Sequence, residues 1–360
     1  MWKIRRYKLR FQRCDRLSKA QNLIKITAVT SLLLFTLNNV IFWTRIGKDA
    51  KLGRPQLQIR ALLDSLLETK LQAEKLAGGY GLHLATTWTK TFQKDPVHKV
   101  VIENWVNISK QVKPVLVSQE GNIRMEVNSS DWSIISEVET ECDRIPTLRG
   151  VLKKIMSKFT SKLYGFSNSD LIFGKDFWTS VKMVLGHSSL LKKPILILGK
   201  RINVKFNRSE TYHIHDIPTI AQRGSYPAEG SSDIFITNKL FPWSNIPKIV
   251  VGRMGLGMWI VGYARAQNVT LIDITNTSTI LHLTTNIGIQ ESGYARNHSF
   301  NIDLLHKLGF GAAHFQLGSL DCVDRFTQYD TEGKVQIQKR KVEPVCYGGH
   351  LNDFISSDKD

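Results

Sequence analysis

From residue 82 onward, short apolar runs alternate with stretches of helical spacing, and no other feature restricts the fold as much. "LHLATTW" (82–88), "VKPVLVS" (112–118), "DLIF" (170–173), "KPILILGKRINVKF" (193–206), "DIFIT" (233–237), "KIVVG" (248–252) and "VTLIDI" (269–274) read as strands. Between them, "HKVVIENWVNIS" (98–109), "TLRGVLKKIMSKF" (147–159), "KDFWTSVKMVLG" (175–186) and "GLGMWIVGYARAQN" (255–268) read as helices. Strands without a polar face are buried on both sides. The pattern therefore predicts an α/β fold, a largely parallel sheet covered by helices on both faces. Ligands of such sheets sit beyond the carboxyl ends of the strands. No Gly-x-Gly-x-x-Gly opens the first helix and no Walker loop is present, so neither of those phosphate cradles is expected.

The N-terminal part follows different rules. Residues 1–25 hold nine Lys/Arg and one acid, a basic tail expected to be cytoplasmic. The uncharged run Ile26–Thr44 has the length of one membrane crossing and reads as a signal-anchor. A buried core helix is the competing reading, favoured by Asn38 and Asn39. Residues 45–81 read as a helical stem, with Leu62, Leu63, Leu66, Leu67 and Leu71 at helical spacing, either a homodimer contact or a plain amphipathic helix packed on the domain. The expected topology is single-pass type II in the Golgi or ER membrane, with the folded domain 82–335 lumenal and 336–360 a C-terminal tail. Six Asn-x-Ser/Thr sequons, at Asn107, Asn128, Asn207, Asn268, Asn276 and Asn297, all lie beyond the apolar run. Of the net charge of +18, the tail supplies +8 and the remaining +10 is spread over 335 residues with no long basic run; no zinc-finger, RRM or basic-helix pattern accompanies it, so no nucleic acid is expected as partner. Cys142, Cys322 and Cys346 allow at most one disulfide on the lumenal side.

Within the domain, "SNSD" (167–170) sets a carboxylate at the mouth of the apolar strand "LIF". An unpaired charge there would cost several kcal/mol, so Asp170 needs a partner. It either meets a cation or bonds a strand-end turn.

The order of "TTWTKTF" (86–92), "VIENW" (101–105), "PTLRGVL" (146–152), "YGFSNSDLIF" (164–173), "ILGKRINV" (197–204), "DIFITNKLFPWSNIPKIVVGR" (233–253), "VTLIDIT" (269–275) and "LHLTT" (281–285) resembles the nucleotide-diphospho-sugar transferase superfamily, the GT-A type glycosyltransferases. It looks closest to membrane-anchored members found in plants and invertebrates. The resemblance implies a GT-A-like domain that transfers a sugar from a nucleotide-sugar donor to a hydroxyl of a glycan or glycoprotein acceptor. It gives "NSD" the place of the Asp-x-Asp motif, with Asn168 in the first carboxylate position. Asp170 would then ligate Mn²⁺ or Mg²⁺, an ion suited to oxygen ligands. His282 would be the second metal ligand; the bland alternative is a satisfied core histidine. Arg149, Lys200, Arg201 and Arg253 are possible diphosphate partners. Thr87 and Thr89 would line the nucleotide wall, while Trp88 faces the core. Relatives carry a base where Gly257 and Met258 stand in this chain, and Asp233 is a weak substitute. A non-catalytic glycan- or protein-binding member of the same fold is the alternative.

Overall fold

The β-branched and aromatic runs become fourteen strands among the described residues. They are β1 (Tyr80–Thr86), β2 (Val112–Val117), β3 (Ser133–Ile135), β4 (Thr140–Glu141), β5 (Ile145–Pro146), β6 (Ser161–Ser167) and β7 (Leu171–Phe173), then β8 (Ile195–Leu198), β9 (Ile202–Lys205), β10 (Ile234–Thr237), β11 (Thr270–Asp273), β12 (Ile280–Thr284), β13 (Arg325–Tyr329) and β14 (Val335–Lys339). The main helices are α1 (Asp95–Asn107), α2 (Leu148–Lys158), α3 (Lys175–Gly186), α4 (Leu256–Ala266), α5 (Phe300–Lys307) and α6 (Ala312–Leu317). The structure is a computed structural model that describes residues 79–88, 94–118, 120–121, 127, 130–227, 232–285 and 299–354. The chain divides into two units between Gly79 and Tyr80, and these strands and helices all belong to the second. The basic tail, the apolar run Ile26–Thr44 and the expected stem lie outside the described residues. Among those described, no helix is long and apolar enough to cross a membrane.

Nine strands form one sheet in the order β14-β13-β11-β8-β10-β6-β1-β2-β3. Neighbours pair in parallel from β3 to β6 and from β8 to β13. β10 runs antiparallel between β6 and β8. β6, β8 and β11 therefore end at one edge, and β10 starts there. The central strands β8 and β10 are buried on both faces, as their continuous apolar pattern requires. Each of their fully buried Ile or Leu side chains is worth about 1.5–3 kcal/mol in apolar area removed from water.

A second sheet, β7-β12-β9, stands against that edge. Three times the chain leaves the large sheet and enters the small one: from β6 to β7, from β8 to β9, and from β11 to β12. The long strand expected over 193–206 is thus two strands in different sheets, divided at Gly199. A Cβ at Gly199 would lie 3.0 Å from Ile280 Cδ1 and 3.2 Å from Ile274 Cγ1, so a side chain there would press on the third crossing. α1 serves the small sheet directly. Asn104 exchanges hydrogen bonds with the N–H (2.8 Å) and carbonyl (3.0 Å) of Phe173, and Trp105 Nε1 donates to the Leu171 carbonyl at 2.9 Å. The "VIENW" motif therefore satisfies the open edge of β7, whose backbone groups would otherwise be buried without partners.

Two expectations are corrected. Residues 248–252 are not a strand. The Asn301 side chain accepts from Val250 N–H (2.8 Å) and donates to its carbonyl (2.9 Å), taking the place of a neighbouring strand. Residues 336–354, expected as part of a C-terminal tail, are built into the fold. β14 closes the large sheet beside β13, the Cys322–Cys346 disulfide ties the last turns down, and Phe354 is buried against Phe310 and Trp259. Cys142 is left as the free thiol among the described residues.

Candidate functional site

The three crossings bring the chemistry to one place. The turn Ser167–Asp170 closes through Leu171 N–H to the Asn168 carbonyl (3.4 Å), and Asn168 N–H reaches the Asp233 carbonyl (3.2 Å). Register then decides the neighbours of Asp170. His282 on β12 pairs with Leu171 on β7 and with Asn203 on β9, and Leu283 N–H donates to the Asp170 carbonyl at 2.9 Å. The Asp170 carboxylate meets side chains from two other elements. Its Oδ2 accepts from Lys94 Nζ at 3.0 Å and faces His282 Nε2 at 3.2 Å. Its Oδ1 is buried and has no hydrogen-bond partner among the described residues.

The tautomer of His282 follows from its neighbours. Arg201 Nε can only donate, and it meets Asn203 Oδ1 at 3.1 Å, so that atom is an oxygen. His282 Nδ1, 3.0 Å from the same oxygen, must therefore carry a proton. A neutral His282 then turns the lone pair of Nε2 towards a carboxylate oxygen. Two acceptors at 3.2 Å repel unless a positive charge joins them, either a proton on Nε2 or a metal ion. An imidazole whose outer nitrogen donates to an oxygen, beside a carboxylate with an unpartnered buried oxygen, is a donor set that fits a hard divalent ion.

Charge at the site is strongly tuned. Burial alone would raise the Asp170 pKa, but His282 and Lys94 outweigh it and hold the carboxyl well below the usual range. Burial pulls Arg201 down from its ordinary value against the opposing charge of Asp170. His98, buried and stacked on Trp88 at 4.8 Å, is pulled down to about 4 by burial and then by the charge of Lys94, so it is neutral at pH 7.

The remaining expected residues divide. Arg201 joins the cluster and forms an ion pair with Asp233. Asp233, the weak substitute for the base, is thus beside a guanidinium. Lys200, one residue earlier, points the other way and pairs with Asp321 at 3.0 Å. Arg149 grips Glu139 through two bonds (2.8 and 2.7 Å) and donates to the Ile246 carbonyl at 2.8 Å. Arg253 Nη1 donates to the carbonyl of Gly252 beside it. Thr87 follows the end of β1, Thr89 lies outside the described residues, and Trp88 is buried. Gly257 is more than a missing base. A Cβ there would lie 2.8 Å from the Ser232 carbonyl oxygen, so backbone fills the space a side chain would need. Sequence reasoning misses Lys94 and Asn203. The motif "KDP" at 94–96 could have pointed to Lys94, since an acid and a proline open helices.

No family model and no curated protein matches the chain. Among solved structures it is similar to glucosyl-3-phosphoglycerate synthase from Mycobacterium tuberculosis in complex with Mg²⁺ and uridine-diphosphate, at 14% identity and a TM-score of 0.38, over 76% of this chain and 91% of that one. HddC from Yersinia pseudotuberculosis gives 12% identity and a TM-score of 0.32, over 61% and 99%. The inositol-1-phosphate CTP transferase from T. maritima gives 9% and 0.31, over 61% and 95%. At these identities and scores the likeness decides nothing about the residues around Asp170.

Proposed function

We propose that the group of side chains around Asp170, where the two sheets meet, binds the diphosphate of a nucleotide-sugar donor through a divalent metal, Mn²⁺ or Mg²⁺, held by Asp170 and His282. The observation that carries this is the approach of His282 Nε2 to Asp170 Oδ2, at 3.2 Å, beside a buried Asp170 Oδ1 with no hydrogen-bond partner among the described residues. Bound there, the ion would neutralise charge growing on the departing nucleotide diphosphate. Arg201 stiffens the site, since it fixes Asn203 and through it the orientation of His282. The reaction proposed is transfer of the sugar to a hydroxyl of a glycan or glycoprotein acceptor.

The proposed setting is the lumen of the Golgi or ER, with the domain anchored by Ile26–Thr44 as a type II membrane protein. Two observations support it. The Cys322–Cys346 disulfide suits an oxidising compartment. The four sequon asparagines within the described residues, Asn107, Asn207, Asn268 and Asn276, are all exposed. N-glycosidase treatment of protein expressed in eukaryotic cells should then increase gel mobility. An unshifted band and release by carbonate wash would remove the anchor.

A second reading, a binding protein that has lost transfer, is favoured by a specific observation: backbone fills the space at Gly257, and Asp233 is tied to Arg201. Full-length protein screened against nucleotide-sugars with Mn²⁺ separates the two. Transfer or donor hydrolysis supports the enzyme. Metal-dependent nucleotide binding without turnover supports the binder, and no nucleotide binding at all ends both.

A further inference from the structure

Lys94 is a charged group at Asp170 that donor binding through a metal does not explain. Its Nζ takes Asp170 Oδ2, the oxygen that also faces His282, with Lys94 only 10% and Asp170 14% exposed in their side chains. An ammonium is a compact, fixed positive charge with three donors, the nearest thing a protein has to a small hard cation. Two cations cannot share one carboxylate oxygen in a low-dielectric cleft without strong repulsion. Lys94 stands at the start of α1, whose other end is bonded to β7 through Asn104 and Trp105. A movement of Lys94 away from Asp170 is therefore a swing of its side chain, with the helix left in place.

We propose that Lys94 is a built-in competitor for the divalent cation: it holds the Asp170 carboxylate when no metal is bound and gives it up when one binds. This rests on the donor site described above. The competition sets the metal affinity from within the protein. It keeps the carboxylate paired, and the cleft folded, in the absence of metal.

The test is direct Mn²⁺ binding to the full-length protein without nucleotide, read from the electron paramagnetic resonance of free Mn²⁺. Lys94→Met, which keeps the apolar stem and removes the charge, should bind Mn²⁺ about tenfold more tightly than the wild type, the scale of one charged hydrogen bond. Equal or weaker binding overturns the competition. A merely structural ion pair would change melting temperature and leave Mn²⁺ affinity alone. The double variant Lys94→Met/Asp170→Asn separates the two claims. If it binds like Lys94→Met, the ion sits elsewhere and the donor site itself falls. If it loses binding while Lys94→Met equals the wild type, the competition alone falls. Should Lys94→Met not fold, Lys94→Gln, which can still hydrogen-bond Asp170, takes its place with the same outcomes.

Discussion

Two histidine–aspartate contacts of similar length, His282 with Asp170 and His314 with Asp353, do opposite work. They are 3.2 and 3.0 Å long, each from Nε2 to Oδ2. At His282, Nδ1 donates to Asn203, so a neutral ring offers a lone pair to the carboxylate. At His314, Nδ1 accepts from the N–H of Gly311 at 2.9 Å, so Nε2 must carry the proton and donate it to Asp353. With His350, whose Nδ1 lies 3.1 Å from the same Asp353 oxygen, the second group also brings three ligand atoms together. Proximity alone would make it the better metal centre. Its tautomer makes it a clasp, because His314 cannot accept from Gly311 and ligate a metal with Nε2 at once. What distinguishes the two is the partner on the far nitrogen.

The largest effect that could break this contrast is removal of each ring. His282→Ala should lower Mn²⁺ affinity by about 100-fold or more, since losing a ligand exceeds the 10–100-fold typical of losing its support. His314→Ala should leave Mn²⁺ affinity unchanged and cost about 1 kcal/mol of stability through the lost hydrogen bonds. Equal effects in a binding titration would erase the distinction. Asn203→Ala sharpens it. The ligand stays, its orientation is lost, and affinity should fall by about 10–100-fold.

Gly257→Asp addresses the missing base. If a base were simply absent, restoring it would raise turnover. The Ser232 carbonyl oxygen lies 2.8 Å from the Cβ position. The expected outcome is therefore a loss of about 1–3 kcal/mol from overpacking and no gain in transfer, read by thermal melting and a donor assay.

The smallest effect is at Arg149. The bonds of Arg149 and then of Thr147 outweigh burial and hold Glu139 down to about 2, below its ordinary 4.5. A depressed acid contributes its full stability above its unfolded pKa and loses it as pH falls through the folded one. The contribution of the clamp should therefore fade between pH 4.5 and about 2. Glu139→Gln should flatten that part of the acid-unfolding curve and leave Mn²⁺ binding at pH 7 untouched. A Glu139→Gln protein that loses nucleotide affinity would return Arg149 to the donor site.

The α/β pattern is legible in the sequence because β8, β10 and β11 are apolar along their length, and only a sheet covered on both faces needs that. The pairing of Asp170 with His282 can be approached from order along the chain, and the register of β12 against β7 is what places them together. Asn203 and Lys94 are not legible. Asn203 lies inside what reads as one long strand, and its meaning appears only when the chain breaks at Gly199 and β9 joins the small sheet. Lys94 belongs to a helix whose apolar spacing begins later, at Val97 and Val101, so the pattern places the helix start at His98. Arg149 is a different case. Its sequence position suits an anion, and Glu139, ten residues earlier on a short strand connection, has no periodicity to announce it.

The most direct test of the donor site is calorimetric binding of uridine diphosphate, with and without Mn²⁺, to the wild type and to Asp170→Asn. The substitution keeps the shape of the side chain and removes the charge that would hold the ion. The expected result is metal-dependent binding by the wild type and a loss of about 100-fold or more in the variant, with the Mn²⁺ dependence gone. An Asp170→Asn protein that is less stable yet binds uridine diphosphate and Mn²⁺ as the wild type does would contradict the site and leave Asp170 a structural ion-pair partner of Lys94.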